Sequence, residues 1–262
     1  MLMVIGAAVL CRRFKPDQRE LSRKIVHIGT GAVLPLAWAF TIPAMVAIPF
    51  AIVVTLLTGM NHQWRLIPAV EDVDRNSYGT IAYGLAITIL LLLFWPDRAD
   101  AACAGVLVMA LGDGCAGLVG RAVRSPRWVV LGQTKSLAGT LTMFLVSTAV
   151  LIGLSTWSES IAAFTMALAI ATTATALEQI SVAGVDNLSV PLVVGLLWAS
   201  SWYPGDGVLR VVGHVVDDLL PVDDRGVFHM VACLLHGDRL GVVGDVLQQY
   251  GGVDHLVAVE VA

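Results

Sequence analysis

Charged and aromatic residues are scarce in this chain of 262 residues. Only 14% of the sequence is Asp, Glu, Lys or Arg and only 7% is aromatic, whereas 57% is hydrophobic and the mean hydropathy is +0.80. Soluble globular domains carry about 25% charged residues, so this scarcity excludes an ordinary water-soluble fold. We therefore expect an all-α, polytopic transmembrane helical bundle.

Cysteine is also rare and carries no metal-type pattern. The four cysteines form no CxxC pair, and Cys11, Cys103 and Cys115 lie in apolar segments. They are expected to act as small hydrophobic residues and not as a disulfide or zinc framework. A cleavable signal peptide is not expected either, because the basic residues follow the first apolar run instead of preceding it.

Long apolar runs recur along most of the chain. A bilayer crossing needs about 20 predominantly apolar residues. The candidate segments are 25–64, with room for two spans, 76–96, 101–120, 136–158, 160–177 and 188–205. Since the first run, 1–11, is too short to cross alone, we expect seven to eight spans.

Lysine and arginine concentrate in three connections between these runs. The connections are 12–24, 65–75 and 120–136, while the opposite connections hold Arg98 as their only basic residue. Alternating spans bring the three connections to one face, together with 178–187, and the positive-inside rule assigns that face to the cytoplasm. We expect a multi-pass integral membrane protein with its active face in the cytoplasm.

The composition changes abruptly near the C-terminus. From Pro204 onward there is no Lys, Ile, Thr, Ser, Asn or Trp, yet four of the six histidines lie there. This change divides a transmembrane domain, 1–203, from a tail, 204–262. We interpret the tail as poorly structured or as an out-of-frame extension; its alternating valines leave a small appended domain open.

Asp113 is the first candidate for function, because it lies inside an apolar, glycine-rich segment, 112–121. A carboxylate at membrane depth is costly and is by default functional. Gly112, Ala116 and Gly120 recur every four residues, a pattern that lets helices approach closely. That pattern explains the glycines, but Asp113 still needs a cation or a metal as its partner.

A basic patch precedes the second apolar run. Arg23 and Lys24 lie four and three residues before His27, so a helix places them on one face. They could be a positive-inside anchor with snorkelling side chains. For His27, which lies inside the apolar run, we favour a functional role.

Two more polar clusters border apolar runs. Arg75 could hold a phosphate in a fork of donors, whereas Ser77 could simply cap the next helix. Glu178, Asp186 and Asn187 supply oxygen ligands of the kind that Mg²⁺ prefers together with substrate phosphates.

The common phosphate-binding signatures are missing. Segment 132–136 lacks the first glycine and the spacing of a Walker A loop, and no GxGxxG opens a helix after a strand. Acids, a lysine, an arginine and glycine-rich backbone nevertheless meet the general needs of phosphoryl transfer, which are positioning and charge neutralisation.

Five segments, taken together and in order, resemble the polyprenol kinase family, and above all its bacterial, cyanobacterial-type phytol kinases. They are Arg23-Lys24-Ile25-Val26-His27, Arg75-Asn76-Ser77-Tyr78-Gly79-Thr80, Gly112-Asp113-Gly114 with Gly120-Arg121, Lys135-Ser136-Leu137-Ala138-Gly139-Thr140, and Glu178 with Asp186-Asn187-Leu188-Ser189-Val190-Pro191. The resemblance spans roughly Arg23 to Trp202 and does not reach the tail.

The resemblance implies a membrane phosphotransferase with an alcohol group as acceptor. It would transfer the γ-phosphate of CTP or UTP to a membrane-embedded isoprenoid alcohol, with Mg²⁺ as cofactor and without a nucleic-acid partner. The implied catalytic residues are Asp113, Lys135 and His27; the implied nucleotide and phosphate ligands are Arg75, Ser77, Gly112, Gly114, Arg121, Ser136, Gly139, Thr140 and Asn187; the implied metal ligands are Asp113, Asp186 and Glu178.

Alternatives remain for the acceptor alcohol and for the class of function. Ala138 stands where dolichol-kinase-like members tend to carry Glu, which favours phytol over dolichol, other polyprenols or diacylglycerol. A cation-coupled transporter would also use an intramembrane Asp, but it predicts two similar halves, and no such repeat is seen. The longer Lys- and Asp-rich signature of the related cytidylyltransferases, with its closing His-Gly-Gly, is absent.

Overall fold

The computed structural model of the protein describes residues 2–14, 19–64, 78–157, 164–181 and 184–201. Within these ranges the chain is mostly helical, with one short antiparallel hairpin. The elements are α1 Leu2–Phe14, α2 Arg19–Gly31, α3 Val33–Ala39, α4 Ala44–Trp64, α5 Gly79–Phe94, α6 Ala99–Leu107, a π-helical segment Val108–Asp113, α7 Gly114–Ala122, β1 Arg127–Val130, β2 Gln133–Ser136, α8 Leu137–Trp157, α9 Phe164–Ile180 and α10 Asp186–Ser200.

Three helical stretches of the described chain are long and apolar enough to cross a membrane. They are Ala44–Trp64, Ala99–Ala122 and Leu137–Trp157. Four shorter apolar helices accompany them, at Lys24–Ala39, Gly79–Phe94, Phe164–Ile180 and Asp186–Ser200. The mainly helical class is confirmed, and the count of seven to eight spans stays a prediction. Arg75, Ser77 and the proposed tail, 204–262, lie outside the described residues.

Helix α6 lies at the centre of the bundle. Every residue from Ala99 to Val106 is buried, and half of these residues are alanine. Their small side chains let neighbouring backbones come close, as Gly105 does against the carbonyl of Pro191 in α10. Gly195 of α10 in turn lies against Leu90 of α5. The close packing of α5, α6 and α10 therefore depends on small residues.

A buried polar network joins the first turn of α6 to the last turn of α10. Arg98 donates to both carboxylate oxygens of Asp100, at 3.1 and 3.2 Å. The Trp198 indole donates to the same carboxylate at 2.8 Å. The basic residue predicted to lie alone on this face is thus neutralised by a neighbouring acid, and the network ties two helix ends together.

The small-residue stripe of the sequence is the contact face between α7 and α8. A side chain at Gly112 would meet Met143 and Ser147 of α8, and one at Gly120 would meet Ser136 and Gly139. The predicted close approach of helix backbones is confirmed. The helix is π-helical from Val108 to Asp113, a segment that includes Gly112 at the start of this face. Such segments are rare and frequent at functional sites.

The hairpin β1–β2 is the one departure from an all-α fold in the described chain. Val130 pairs with Gln133, so Leu131 and Gly132 form a two-residue turn, with φ of 48° and 79°. The sequence Trp128-Val129-Val130 has the β-branched and aromatic residues that favour strands. Segment 120–136 was predicted only as a basic connection between two apolar runs, so the hairpin was not predicted.

Candidate active site

Asp113 ends the π-helical segment and finds its cation in α2. Lys24 Nζ lies 2.5 Å from Asp113 Oδ2 and also donates to the Asp113 carbonyl at 3.2 Å. The side chains of Lys24 and Asp113 are only 7% and 16% exposed. The sequence predicted that Asp113 needs a cationic or metal partner, and it predicted a basic patch that contains Lys24. It did not predict that Lys24 pairs with Asp113.

His27 lies one turn further along α2 on the same side. Its Nε2 is 3.5 Å from Asp113 Oδ2 and 3.2 Å from the Met109 carbonyl, which can only accept a hydrogen bond. The imidazole also rests against the ring of Tyr83, with centroids 4.6 Å apart. These contacts fix the imidazole beside Asp113; the functional role of His27 stays a prediction.

Lys135 is held by α9. Its Nζ lies 2.5 Å from Glu178 Oε1 and donates to the Glu178 carbonyl at 2.7 Å. Gln179 donates to the second carboxylate oxygen of Glu178 at 2.7 Å and to Thr140 at 2.9 Å. The strand β2, the end of α9 and the start of α8 are therefore connected through one polar chain.

Ser136 caps the N-terminus of α8. Its hydroxyl accepts a hydrogen bond from the Gly139 backbone at 3.2 Å, while Thr140 Oγ1 donates to the Ser136 carbonyl at 3.1 Å. Gly139 has no side chain, so the first turn of α8 can approach Gly120 of α7. A helix N-terminus carries partial positive charge and favours anions.

These side chains surround a polar cavity of about 460 Å³. Seven of the residues that line the cavity belong to the predicted site: Asp113, Arg121, Lys135, Ser136, Gly139, Thr140 and Glu178. Ala116, Gly117, Gly120, Arg127, Gly132, Gln133, Thr134 and Gln179 complete the lining. With Lys24, which pairs with Asp113, four cationic side chains face two carboxylates, so the surroundings suit a polyanion.

Some predicted site residues lie elsewhere. Gly112 packs on α8 and Gly114 packs on Ile28 of α2, so neither lines the cavity. Asp186 and Asn187 open α10, and each has a buried Oδ1 atom without a hydrogen-bond partner. The side-chain oxygen Oε1 of Gln179 is also buried without a hydrogen-bond partner.

Sequence reasoning missed Gln179, Arg127, Gln133 and Thr134 as cavity residues. Three of them belong to the hairpin, for which the β-branched and aromatic run Trp128-Val129-Val130 was the available signal. Gln179 adjoins Glu178 on α9 and carried no signal of its own.

The side-chain oxygen atoms near the start of α10 and the end of α9 are suited to a divalent cation. No three side chains of His, Cys, Asp or Glu form a ready metal cluster within the described part of the chain. However, the Oδ1 atoms of Asp186 and Asn187 and the Oε1 atom of Gln179 are buried acceptors that no protein donor satisfies. Mg²⁺ binds oxygen ligands, usually one or two carboxylates together with substrate phosphates, so this donor set is chemically suitable.

Comparison with known proteins identifies relatives over most of the chain. The chain is similar to the phytol kinase of Synechocystis sp., with 36% identity over 203 residues that cover 76% of this chain and 87% of that protein. It is also similar to probable phytol kinase 2, chloroplastic, of Glycine max, with 28% identity over 75% of this chain and 73% of the relative. Phytol kinase 1, chloroplastic, of Arabidopsis thaliana is 29% identical over 67% and 64%.

No family model and no solved structure matches the chain. The motif-based resemblance and the long alignments nevertheless agree, and they agree over the part of the chain that carries the cavity residues. Given 36% identity over most of both chains, the protein belongs to the phytol kinase family.

Proposed function

We propose that this protein transfers the γ-phosphate of a nucleoside triphosphate to the hydroxyl group of an isoprenoid alcohol, with phytol as the first candidate. The observation that carries the proposal is the polar cavity, in which Lys135, Arg121 and the N-terminus of α8 lie beside the Asp113 carboxylate. The named activity of the relatives supports the same reaction class.

The triphosphate would bind at the hairpin side of the cavity. Lys135, Arg121 and the backbone of Ser136 to Thr140 supply positive charge and donors there. Binding requires Lys135 to exchange its bond with Glu178 for a phosphate oxygen. The donor is CTP or UTP, as the family resemblance implies.

The alcohol would approach from the apolar side of the bundle. An isoprenoid chain partitions into the bilayer and a triphosphate stays in water, so the two groups meet only near the interface. Asp113 lies nine residues before the end of α7 at Ala122, or about 13 Å at 1.5 Å per residue, a depth suited to that meeting.

Asp113 then acts as the base. The alcohol oxygen bonds to the γ-phosphorus, the bond from that phosphorus to the bridging oxygen of the β-phosphate breaks, and the hydroxyl proton passes to the Asp113 carboxylate. Lys24 holds the Asp113 carboxylate in place through the ion pair at 2.5 Å. The products are the alcohol monophosphate and the nucleoside diphosphate.

A magnesium ion would be held by Glu178 and Asp186, with Asn187 as a further oxygen ligand, while Asp113 serves as the base. It would neutralise charge on the phosphate oxygens when bound. We also propose that this end of the bundle faces the cytoplasm, because three arginines, Arg121, Arg124 and Arg127, are exposed on it.

The test is phosphate transfer by the purified protein in detergent with Mg²⁺. The donors are γ-labelled CTP, UTP and ATP, and the acceptors are phytol, geranylgeraniol, farnesol, a long polyprenol and diacylglycerol. Labelled phytyl phosphate from CTP or UTP is the expected product. A different phosphorylated lipid would support the kinase activity with another acceptor. A nucleotide-linked lipid would indicate a cytidylyltransferase, and the absence of any labelled product would favour the transporter alternative.

Variants sharpen this test. Lys135→Ala is expected to lower kcat/KM about 100-fold or more, because phosphate positioning and neutralisation dominate phosphoryl transfer. Asp97→Asn, at an exposed position in the turn before α6, is the control and should retain activity. Near-normal turnover by a folded Lys135→Ala protein would remove Lys135 from the site.

A further inference from the structure

The hairpin β1–β2 presents large apolar side chains that the fold leaves uncovered. Val129 and Leu131 are 69% and 65% exposed, and Trp128 is 36% exposed. Gln133 and Lys135 of the same hairpin line the polar cavity. Large apolar residues grouped on an exposed edge mark a surface that contacts something outside the folded chain.

The turn places Leu131 in a conformation that leucine seldom adopts. Leu131 and Gly132 both have positive φ, at 48° and 79°, and such turns prefer Asn-Gly or Gly-Gly. A bulky residue with positive φ is uncommon. An apolar side chain that is both conformationally disfavoured and exposed indicates that its contact lies beyond the protein.

The surroundings of the hairpin match a lipid surface. Segment 114–136 holds three arginines and one lysine but no acidic residue, and Arg121, Arg124 and Arg127 are exposed. The hairpin connects the stretches Ala99–Ala122 and Leu137–Trp157, both long and apolar enough to cross a membrane. It therefore emerges where two such helices end, and basic residues beside apolar ones favour anionic headgroups.

We propose that the hairpin docks on the anionic lipid surface of the membrane that holds these helices. Leu131 and Val129 enter the headgroup layer, and Arg124, the exposed arginine of this segment that does not line the cavity, contacts lipid phosphates. This surface does not depend on the phosphotransfer activity, and it is tested without it.

The test places a fluorescent label in the hairpin and asks whether the label contacts lipid. An NBD label is attached to Val129→Cys after replacement of Cys11, Cys115 and Cys233 by serine, which leaves Cys103, a buried residue. The protein is placed in nanodiscs of neutral lipid or of neutral lipid with phosphatidylglycerol. Quenching by a nitroxide near the lipid headgroup is compared with quenching by a water-soluble nitroxide.

The lipid nitroxide is expected to quench more strongly in anionic nanodiscs. In neutral nanodiscs the ratio of docked to undocked hairpin should fall about fivefold for each arginine that engages lipid. Leu131→Met keeps the apolar tip and should behave like the parent. Leu131→Asn creates the favoured Asn-Gly turn, so the hairpin persists, but the label should move towards water.

Two outcomes would overturn the proposal. One is a label equally open to the aqueous quencher in both kinds of nanodisc, or unchanged by Leu131→Asn in a protein with the parent melting temperature. The other is shielding in detergent that increases with protein concentration, since a second copy of the chain would then cover the hairpin.

Discussion

At the scale of single residues, the site consists of two lysine–carboxylate pairs of similar geometry. Lys24 with Asp113 and Lys135 with Glu178 each have a 2.5 Å contact between largely buried side chains. Removing one member of such a pair leaves an uncompensated buried charge, which costs about 3–5 kcal/mol. Removing both charges avoids that cost, so stability and catalysis can be separated.

We therefore predict a double-mutant result for the first pair. Lys24→Met should lower the melting temperature clearly and abolish phosphate transfer, because the Asp113 carboxylate is left without its cation. Lys24→Met with Asp113→Asn should recover most of the stability but none of the activity. Thermal unfolding in detergent and the labelled-phosphate assay measure the two effects.

The alternative result is equally clear. If the double variant is as unstable as Lys24→Met, or if the two changes add without coupling, the ion pair is not the source of the effect. Turnover close to that of the parent in Asp113→Asn would remove Asp113 as the base.

At the scale of elements, the cavity depends on how closely α7 and α8 approach. Their contact uses Gly120 against the cap of α8, where an added side-chain carbon would lie 2.8 Å from the Ser136 hydroxyl and 3.3 Å from the Gly139 backbone. The same contact holds Ser136 and Lys135 in place. Helix packing and site geometry are thus coupled at this position.

Gly120→Ala is predicted to reduce both stability and activity. The added methyl group forces α7 and α8 apart, and such overpacking costs about 1–3 kcal/mol. Gly153→Ala is the matched control, because Gly153 lies on α8 with open space around it. That change should stabilise the helix by up to about 1 kcal/mol and leave kcat/KM unchanged. Equal effects of the two substitutions would contradict the packing argument.

At the scale of the whole molecule, the two ends of the bundle have different characters. One end carries the cavity, the hairpin and most of the described basic residues. At the other end, the hydrogen bonds among Arg98, Asp100 and Trp198 connect α6 to α10. The network is buried and satisfied internally, which suits a structural role. The residues of the candidate site therefore lie at one end of the apolar helices.

The predicted boundary at residue 203, between the transmembrane domain and the tail, can be tested by deletion. Deleting Pro204–Ala262 should leave insertion and phosphate transfer largely intact, because no motif of the site lies in that segment. A chain whose tail is replaced by a Gly/Ser linker of equal length is the control for length alone. Loss of activity in a monodisperse, inserted truncation would place the domain boundary further along the chain.

The sequence by itself determined the helical class, the apolar character and seven of the fifteen residues that line the cavity. Composition and apolar run length are properties of the local chain, and a carboxylate such as Asp113 inside an apolar run is conspicuous wherever the fold places it. Glu178 could be named in advance as an acid at the border of an apolar run, whereas the roles of Lys135 and Ser136 were predicted through the family resemblance.

Only the tertiary structure decided which of these residues meet. Lys24 and Asp113 are 89 residues apart in the chain, and Lys135 and Glu178 are 43 apart. Local periodicity carries no information about such pairs, because they depend on which helices pack together and in what register. The same packing turned Gly112 and Gly114 into helix contacts, and strand pairing made a hairpin of a connection that the sequence predicted only as a loop.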